Sequence, residues 1–250
     1  MFARFWDAKR INHLLFRAWY EEDIYDRLCA LFPRLAFLLK GCIPQGMRDR
    51  SLVFVHVPRV AGTSIGNALY DTHCVHHHSI RFYRAVAPEL CSTSRSFALL
   101  RDPFDRFLSA FFFVRAGGTP TCRLSDVFVD QTRHIHTVDD YLDFLEGKGP
   151  LEMDFVMRPQ SWFVCDLQTG ATLVDDLFLY GEDDGALSRY LEPYGITGLP
   201  WLNRGLRLPL PLTPAQRARI RALYAADFAL IDSVRRNRGL DPRVAAIAAE

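Results

Sequence analysis

The chain has 250 residues, of which 49% are hydrophobic and 24% charged, with a formal net charge of +1. These are the values of a soluble globular protein with enough length for one α/β domain with additions, and they exclude bulk electrostatic attraction to nucleic acid, so any basic function must be local. Six cysteines (Cys29, Cys42, Cys74, Cys91, Cys122, Cys165) form no CxxC pair, which argues against a zinc ribbon or a dense disulfide framework and for reduced thiols.

Residues 1–50 mix aromatics with both charges: Phe2, Phe5, Trp6, Phe16, Trp19 and Tyr20. Ala8 to Leu39 reads as one or two amphipathic helices packed on the outside of a main domain. Peripheral attachment to a membrane through residues 1–45, by the aromatic and basic face, is the second reading. The most apolar run, Leu28 to Leu39, is interrupted by Pro33 and Arg34 and falls short of the ~20 residues a spanning helix needs. No secretory signal is evident. The expectation is a cytoplasmic protein, with contact at the inner membrane as its variant.

Leu52 to Val57 is a short apolar run rich in β-branched residues, the pattern of a buried strand. Pro58 ends it. Arg59-Val60-Ala61-Gly62-Thr63-Ser64 predicts a tight loop into a helix over Ser64–Tyr70. A strand, a loop with Gly and hydroxyl residues, and a helix N-terminus make an anion site, because unpaired N–H groups and the helix dipole point at whatever lies there. Arg59 adds a fixed positive charge. The stretch alone also fits an ordinary strand-to-helix turn. It is not a Walker A loop, since Thr63 follows Gly62 where that motif needs Lys, and Val57 stands where its first Gly belongs.

A histidine-rich loop, His73 to His78, precedes a predicted helix over Ile80–Cys91, a strand over Ser96–Leu100 and a helix over Pro103–Val114. Asp102 is placed to cap that helix and Pro103 to open it. Arg101 then lies at the carboxyl end of a strand, where open α/β sheets bind ligands. A salt bridge from Arg101 to Asp105 is the plainer reading. Residues 115–137 read as a long surface loop and Val138–Glu146 as a short helix. Leu177–Tyr180 reads as a third strand, Ala186–Tyr194 as helix, Leu199–Pro214 as an extended loop, and Pro214–Arg236 as one helix capped by Thr213. The alternation predicts an α/β fold with a central, mainly parallel sheet flanked by helices. Its boundaries are an N-terminal helical extension over 1–50, the main domain over 51–240 and a tail over 241–250.

HVPRVAGTS (His56–Ser64), followed by LLRDPFDRFLSAFFF (Leu99–Phe113), resembles the carbohydrate sulfotransferases of the type 2 family. The first motif reads roughly HVPKTGGTS there and cradles the 5′-phosphosulfate of 3′-phosphoadenosine 5′-phosphosulfate (PAPS); the second, roughly RDPxxRxxSxY, holds the 3′-phosphate. The resemblance runs on weakly through Arg158–Asp166, Leu177–Asp183, Leu199–Gly205 and Leu223–Asp232. It implies a P-loop-like three-layer domain, PAPS as donor without a metal, and a glycan or glycolipid hydroxyl as acceptor. Transferred by motif, Arg59, Ala61, Gly62, Thr63 and Ser64 contact the phosphosulfate, while Arg101 and Ser109 hold the 3′-phosphate. The chain departs from the family with Arg59 in place of the usual Lys and Val60 in place of a small or hydroxyl residue. Arg supplies charge and bidentate hydrogen bonds but cannot donate a proton at neutral pH.

Sulfuryl transfer needs a base for the acceptor hydroxyl, and histidine titrates in the right range. Aligning Ser79–Ala85 with the family's following helix places His77 at its usual histidine position, with His76 and His78 as neighbouring candidates and Glu89 as a weaker one. Solvated loop histidines, or a metal site from His73, Cys74 and His76–His78, are the competing readings. Arg158 and Gln160, before an aromatic pair, read as lining an acceptor cleft, since sugars stack on aromatic faces and anionic sugars pair with Arg; for Trp162 and Phe163 the core is the plainer reading. Arg204 and Arg207 are either loop residues or nucleotide contacts. Two other functions stay open: a non-catalytic binder of PAPS or a phosphorylated ligand, motivated by Arg59, and a P-loop-like kinase.

Overall fold

The computed structural model describes residues 21–70, 76–119, 123–124, 126–182, 184–198 and 210–239. The chain divides into two compact units, each assembled from two stretches: Met1–Leu100 with Gly149–Asn203, and Arg101–Lys148 with Arg204–Glu250.

The first unit is built on a parallel sheet of β1 (Leu52–Val55), β2 (Arg95–Leu100) and β3 (Asp176–Leu179), in that spatial order. Phe54 lies opposite Phe97, and Ala98 opposite Leu177. Every residue of β1 is buried, as is β2 from Ser96 onward. Continuous apolar runs of this kind belong to parallel strands covered on both faces. Together with its helices, the sheet is the α/β architecture that the alternation predicts.

β1 is two residues shorter than expected. The Val57 N–H turns back onto the Val55 carbonyl at 3.1 Å, a tight turn that ends the ladder before Pro58. The hydrogen-bonding edge of β1 away from β2 is met by a side chain: the Tyr70 hydroxyl accepts from the Phe54 N–H and donates to the Leu52 carbonyl, both at 3.1 Å.

Among the described residues, three short helices precede the first strand. They are α1 (Glu21–Leu31), a 3-10 segment (Pro33–Cys42) and α2 (Gln45–Arg50). α3 (Gly62–Tyr70) follows β1 and starts two residues earlier than expected. The helix expected over Ile80–Cys91 is two, α4 (Ile80–Val86) and α5 (Pro88–Thr93). Pro88 is the cause: it has no N–H to give and drives Ala87 out of the helical region, to φ −138 and ψ 63. After α9 (Ser161–Val164), β3 leads into α10 (Asp184–Leu191), whose expected continuation is a separate 3-10 turn, Glu192–Tyr194.

The extension is more than an outer layer. Asp23 on α1 is 3% exposed, and both its oxygens accept from the Arg158 guanidinium, at 2.5 and 2.7 Å.

The second unit is helical. α6 (Pro103–Arg115) opens as expected, with Asp102 accepting from the N–H groups of Phe104 and Asp105 and Pro103 in the first turn. The stretch expected to be a bare loop carries α7 (Asp126–Thr132), anchored by buried Phe128, whose carbonyl takes the Thr132 hydroxyl. α8 (Val138–Leu145) begins with a Thr137–Asp140 capping box. The predicted C-terminal helix is divided into α11 (Pro214–Leu223) and α12 (Ala225–Asn237). Tyr224, at φ −114 and ψ 32, steps out of the helix, and buried Tyr224 and Asp227 lie beside buried Arg106. Arg219 fastens α11 to α8 through Asp139, Asp143 and Glu146. The expected tail over 241–250, most of the loop 199–214 and residues 1–20 fall outside the described residues.

Candidate active site

β1 delivers the chain to His56, which is 6% exposed. The next residues alternate. Val60, Gly62 and Ser64 are buried, while Arg59, Ala61 and Thr63 are half-buried. Arg59 and Ala61 take positive φ, 69 and 65, which costs an L-residue roughly 1–2 kcal/mol each and persists only where the surroundings fix the turn. The Ala61 carbonyl accepts from the Ser64 and Ile65 N–H groups at 3.1 and 3.4 Å. Ala61 is thereby the cap of α3, and the first-turn N–H groups of Gly62 and Thr63 have no intrahelical acceptor. An anion at this point meets backbone donors and the positive end of a helix dipole. Val60, completely buried, is a core residue, so its departure from the family motif falls on packing and not on the anion.

Gly62 is required by space. A Cβ there would lie 1.7 Å from His56 Cδ2 and 2.0 Å from His56 Nε2. The His56 imidazole therefore lies directly on the glycine backbone that opens α3. The motifs assign His56 no role, yet a signal was present: a lone histidine at the carboxyl end of an otherwise apolar parallel strand, where such sheets place ligands.

His56 also meets the histidine loop. His77 Nδ1 lies 3.1 Å from the His56 carbonyl, and the two rings are 4.2 Å apart. A carbonyl can only accept, so Nδ1 carries the proton and Nε2 presents its lone pair. Burial, followed by the neighbouring His56, holds the His77 pKa well below the usual histidine value. The ring is thus neutral at pH 7, the form a base requires. Phe155 closes its other side, with ring centroids 5.6 Å apart.

The three adjacent histidines are in different places. His76 is exposed. His78 is 1% exposed and stacks on Phe82 with centroids 3.8 Å apart, so its environment is that of a core side chain. His77 is the one that hydrogen-bonds to the end of the strand leading into the anion loop. His73 and Cys74, invoked in the metal reading, lie outside the described residues, as do Arg204 and Arg207.

In the second unit, Arg101 precedes α6 and lies 3.6 Å from Asp105, the salt bridge of the plainer reading. Ser109 is half-buried two turns further along α6. Arg106, in the same motif, is 2% exposed; burial pulls its pKa down while Asp227 opposes the shift. That environment makes it a packing residue of the unit.

The acceptor-cleft expectation is corrected for Arg158 and Gln160, while the core reading holds for Phe163. Arg158 is 1% exposed, and besides Asp23 it donates to the carbonyls of Pro150 and Met153. All its guanidinium nitrogens are engaged in holding the fold. Gln160 and Phe163 are completely buried, which makes them core, while Trp162 is half-buried under the Arg81 and Arg158 guanidinium groups. Glu89 is highly exposed and lies 4.0 Å from Lys40, in a solvated ion pair.

No curated protein and no solved structure matches the chain. The model of the sulfotransferase family matches residues 47–175. That span covers just over half of the chain and contains the anion loop, the histidine loop and the Arg101–Ser109 motif. The chain is therefore a member of the type 2 sulfotransferase family.

Proposed function

We propose that the chain moves the sulfuryl group of PAPS to a hydroxyl of a glycan or glycolipid by direct in-line transfer, with His77 as the base. One observation carries this reading. The backbone carbonyl of His56 holds His77, and the ring of His56 lies on Gly62, so the candidate base and the anion loop share one anchor. The donor set suits a phosphosulfate: first-turn N–H groups, the Thr63 and Ser64 hydroxyls and the Arg59 guanidinium. PAPS, when bound, supplies a sulfur whose leaving group is a phosphate oxygen. Nε2 of His77 takes the acceptor's proton as the hydroxyl oxygen bonds to sulfur. The sulfur–oxygen bond to the phosphate breaks, and its electron pair stays on the nucleotide. Arg59, Ser64 and the loop N–H groups hold the charge that develops there. Arg59 does this as a fixed cation and leaves proton transfer to other groups. Arg101 and Ser109 are assigned the 3′-phosphate on the motif.

Thermal shift tests donor identity. Stabilisation by adenosine 3′,5′-bisphosphate, and none by ATP with Mg²⁺, is expected; the reverse pattern supports a kinase. His77→Ala should lower turnover of labelled PAPS with a glycan panel by roughly 10²–10⁴-fold while the nucleotide still stabilises the protein. Unchanged turnover with intact binding removes His77 from the role. The non-catalytic reading, favoured by Arg59 in place of Lys, predicts nucleotide binding with no turnover on any acceptor.

A further inference from the structure

α1 and the 3-10 segment behind it bury one side and bare the other. Cys29, Ala36 and Ile43 point inward, at 5%, 3% and 6% exposure. Leu28, Leu31, Phe32, Leu35 and Leu38 face outward, at 38%, 71%, 54%, 53% and 67%. Five large apolar side chains within eleven consecutive residues form an apolar patch of the kind that marks an interaction site.

The charges beside the patch identify the occupant. The sequence has no Asp or Glu between Asp26 and Asp49, whereas Arg27, Arg34, Lys40 and Arg48 fall in that interval. Arg34 and Lys40 are both exposed. Glu89 reaches Lys40 only at 4.0 Å and is itself mostly in solvent. A second copy packed face to face would set these cations against one another, an unfavourable pairing. Residues 1–20 carry Arg4, Lys9, Arg10 and Arg17 against the single acid Asp7, among Phe2, Phe5, Trp6, Phe16 and Trp19. Their composition is likewise apolar and mainly cationic. Apolar side chains with exposed cations beside them match an anionic lipid surface, which takes Leu and Phe below its headgroups and attracts Lys and Arg at them.

We infer that the face of Leu28, Leu31, Phe32, Leu35 and Leu38, with Arg34 and Lys40 at its margin, docks the protein on an anionic lipid surface. The inference stands apart from the sulfotransfer chemistry, since none of these residues belongs to the candidate site.

Vesicle co-sedimentation of the full chain tests it, with phosphatidylcholine alone and with one part phosphatidylglycerol to three of phosphatidylcholine. The wild type should partition onto the anionic vesicles and weakly onto the neutral ones. Leu31→Ser/Leu35→Ser/Leu38→Ser should lose that binding by roughly tenfold or more. Arg34→Glu/Lys40→Glu should also lose roughly tenfold or more, because each basic residue at an anionic surface contributes roughly fivefold. Both variants change exposed side chains, and unaltered thermal melts confirm their folding. Equal binding to the two vesicle types, or undiminished binding by the triple variant, overturns the inference. So does a dimer in light scattering that the triple variant abolishes while no form binds vesicles, since the occupant is then a second copy.

Discussion

At the scale of single residues, Gly62, Ala61 and His77 of the candidate site each make a separate prediction. Gly62 has no room for a methyl group because the His56 ring fills the place of its Cβ. Gly62→Ala should therefore displace His56 or the loop, cost about 1–3 kcal/mol in urea denaturation and abolish stabilisation by adenosine 3′,5′-bisphosphate. Ala61 is the opposite case. Its φ of 65 is left-handed, and the related motif has Gly there. Ala61→Gly should relieve strain and raise stability by about 0.5 kcal/mol, the gain being trimmed by the greater freedom of glycine in the unfolded chain. His77 supplies a pH signature. Its folded pKa lies well below the ordinary value, so the unfolded chain binds the extra proton first as pH falls. Stability contributed at neutral pH is lost below about 6.5, by at most about 1.4 kcal/mol per pH unit. Asp26 works against this trend. Burial pushes its carboxyl up to about 6, so the folded state takes that proton first and gains as pH falls. The two effects separate in a His77→Asn variant, whose stability measured by urea titration from pH 7 to 5 should fall less steeply than that of the wild type.

At the scale of elements, Tyr70 shows how a helix finishes a sheet. Among the described residues β1 lies at the edge of the sheet, and its Phe54 N–H and Leu52 carbonyl are taken by the hydroxyl at the end of α3. Gly46 clears the space, since a Cβ there would fall 2.8 Å from the Tyr70 ring. Tyr70→Phe keeps the ring and removes both bonds. It should cost about 1–3 kcal/mol and speed hydrogen exchange at the Phe54 amide more than at amides of β2. The sequence makes the strands and the Asp102 and Thr213 caps legible because each depends on residues within a few positions. The Tyr70 clip, sixteen residues from Phe54, depends on where the helix lands and carries no local signal. The same limit explains the C-terminal helix. Helical spacing across Ile220, Leu223, Tyr224 and Phe228 continues through the break, but Tyr224 and Asp227 gather at Arg106, a partner far away in the chain. The break at Pro88 is different: proline announces it in the sequence.

At the scale of the whole molecule, the Arg59–Ser64 loop and the histidine run are legible as candidates from residue types in order, whereas the support beneath them is not. Arg158 looked like a cleft residue because it stands beside aromatics. Its carboxylate partner, Asp23, lies 135 positions away in a segment outside the recognised motifs. The consequence is a prediction about autonomy. The span matched by the family model, residues 47–175, omits Asp23 and stops just short of β3. In that fragment the Arg158 guanidinium is left buried without its carboxylate, a loss of about 3–5 kcal/mol. β2 also loses the parallel partner that pairs from Phe97 to Leu100, and with it one covered edge of the sheet. Set against a total stability of about 5–15 kcal/mol for a domain, these losses should leave fragment 47–175 unfolded, with a collapsed amide proton spectrum where the full chain gives a dispersed one. Asp23→Ala in the full chain isolates the first loss and should lower the urea midpoint strongly, while Asp23→Leu/Arg158→Met should recover most of it, because a matched apolar pair leaves no charge stranded. A dispersed spectrum from the fragment would mean that Arg158 finds another counter-charge and that residues 21–46 are dispensable to the first unit.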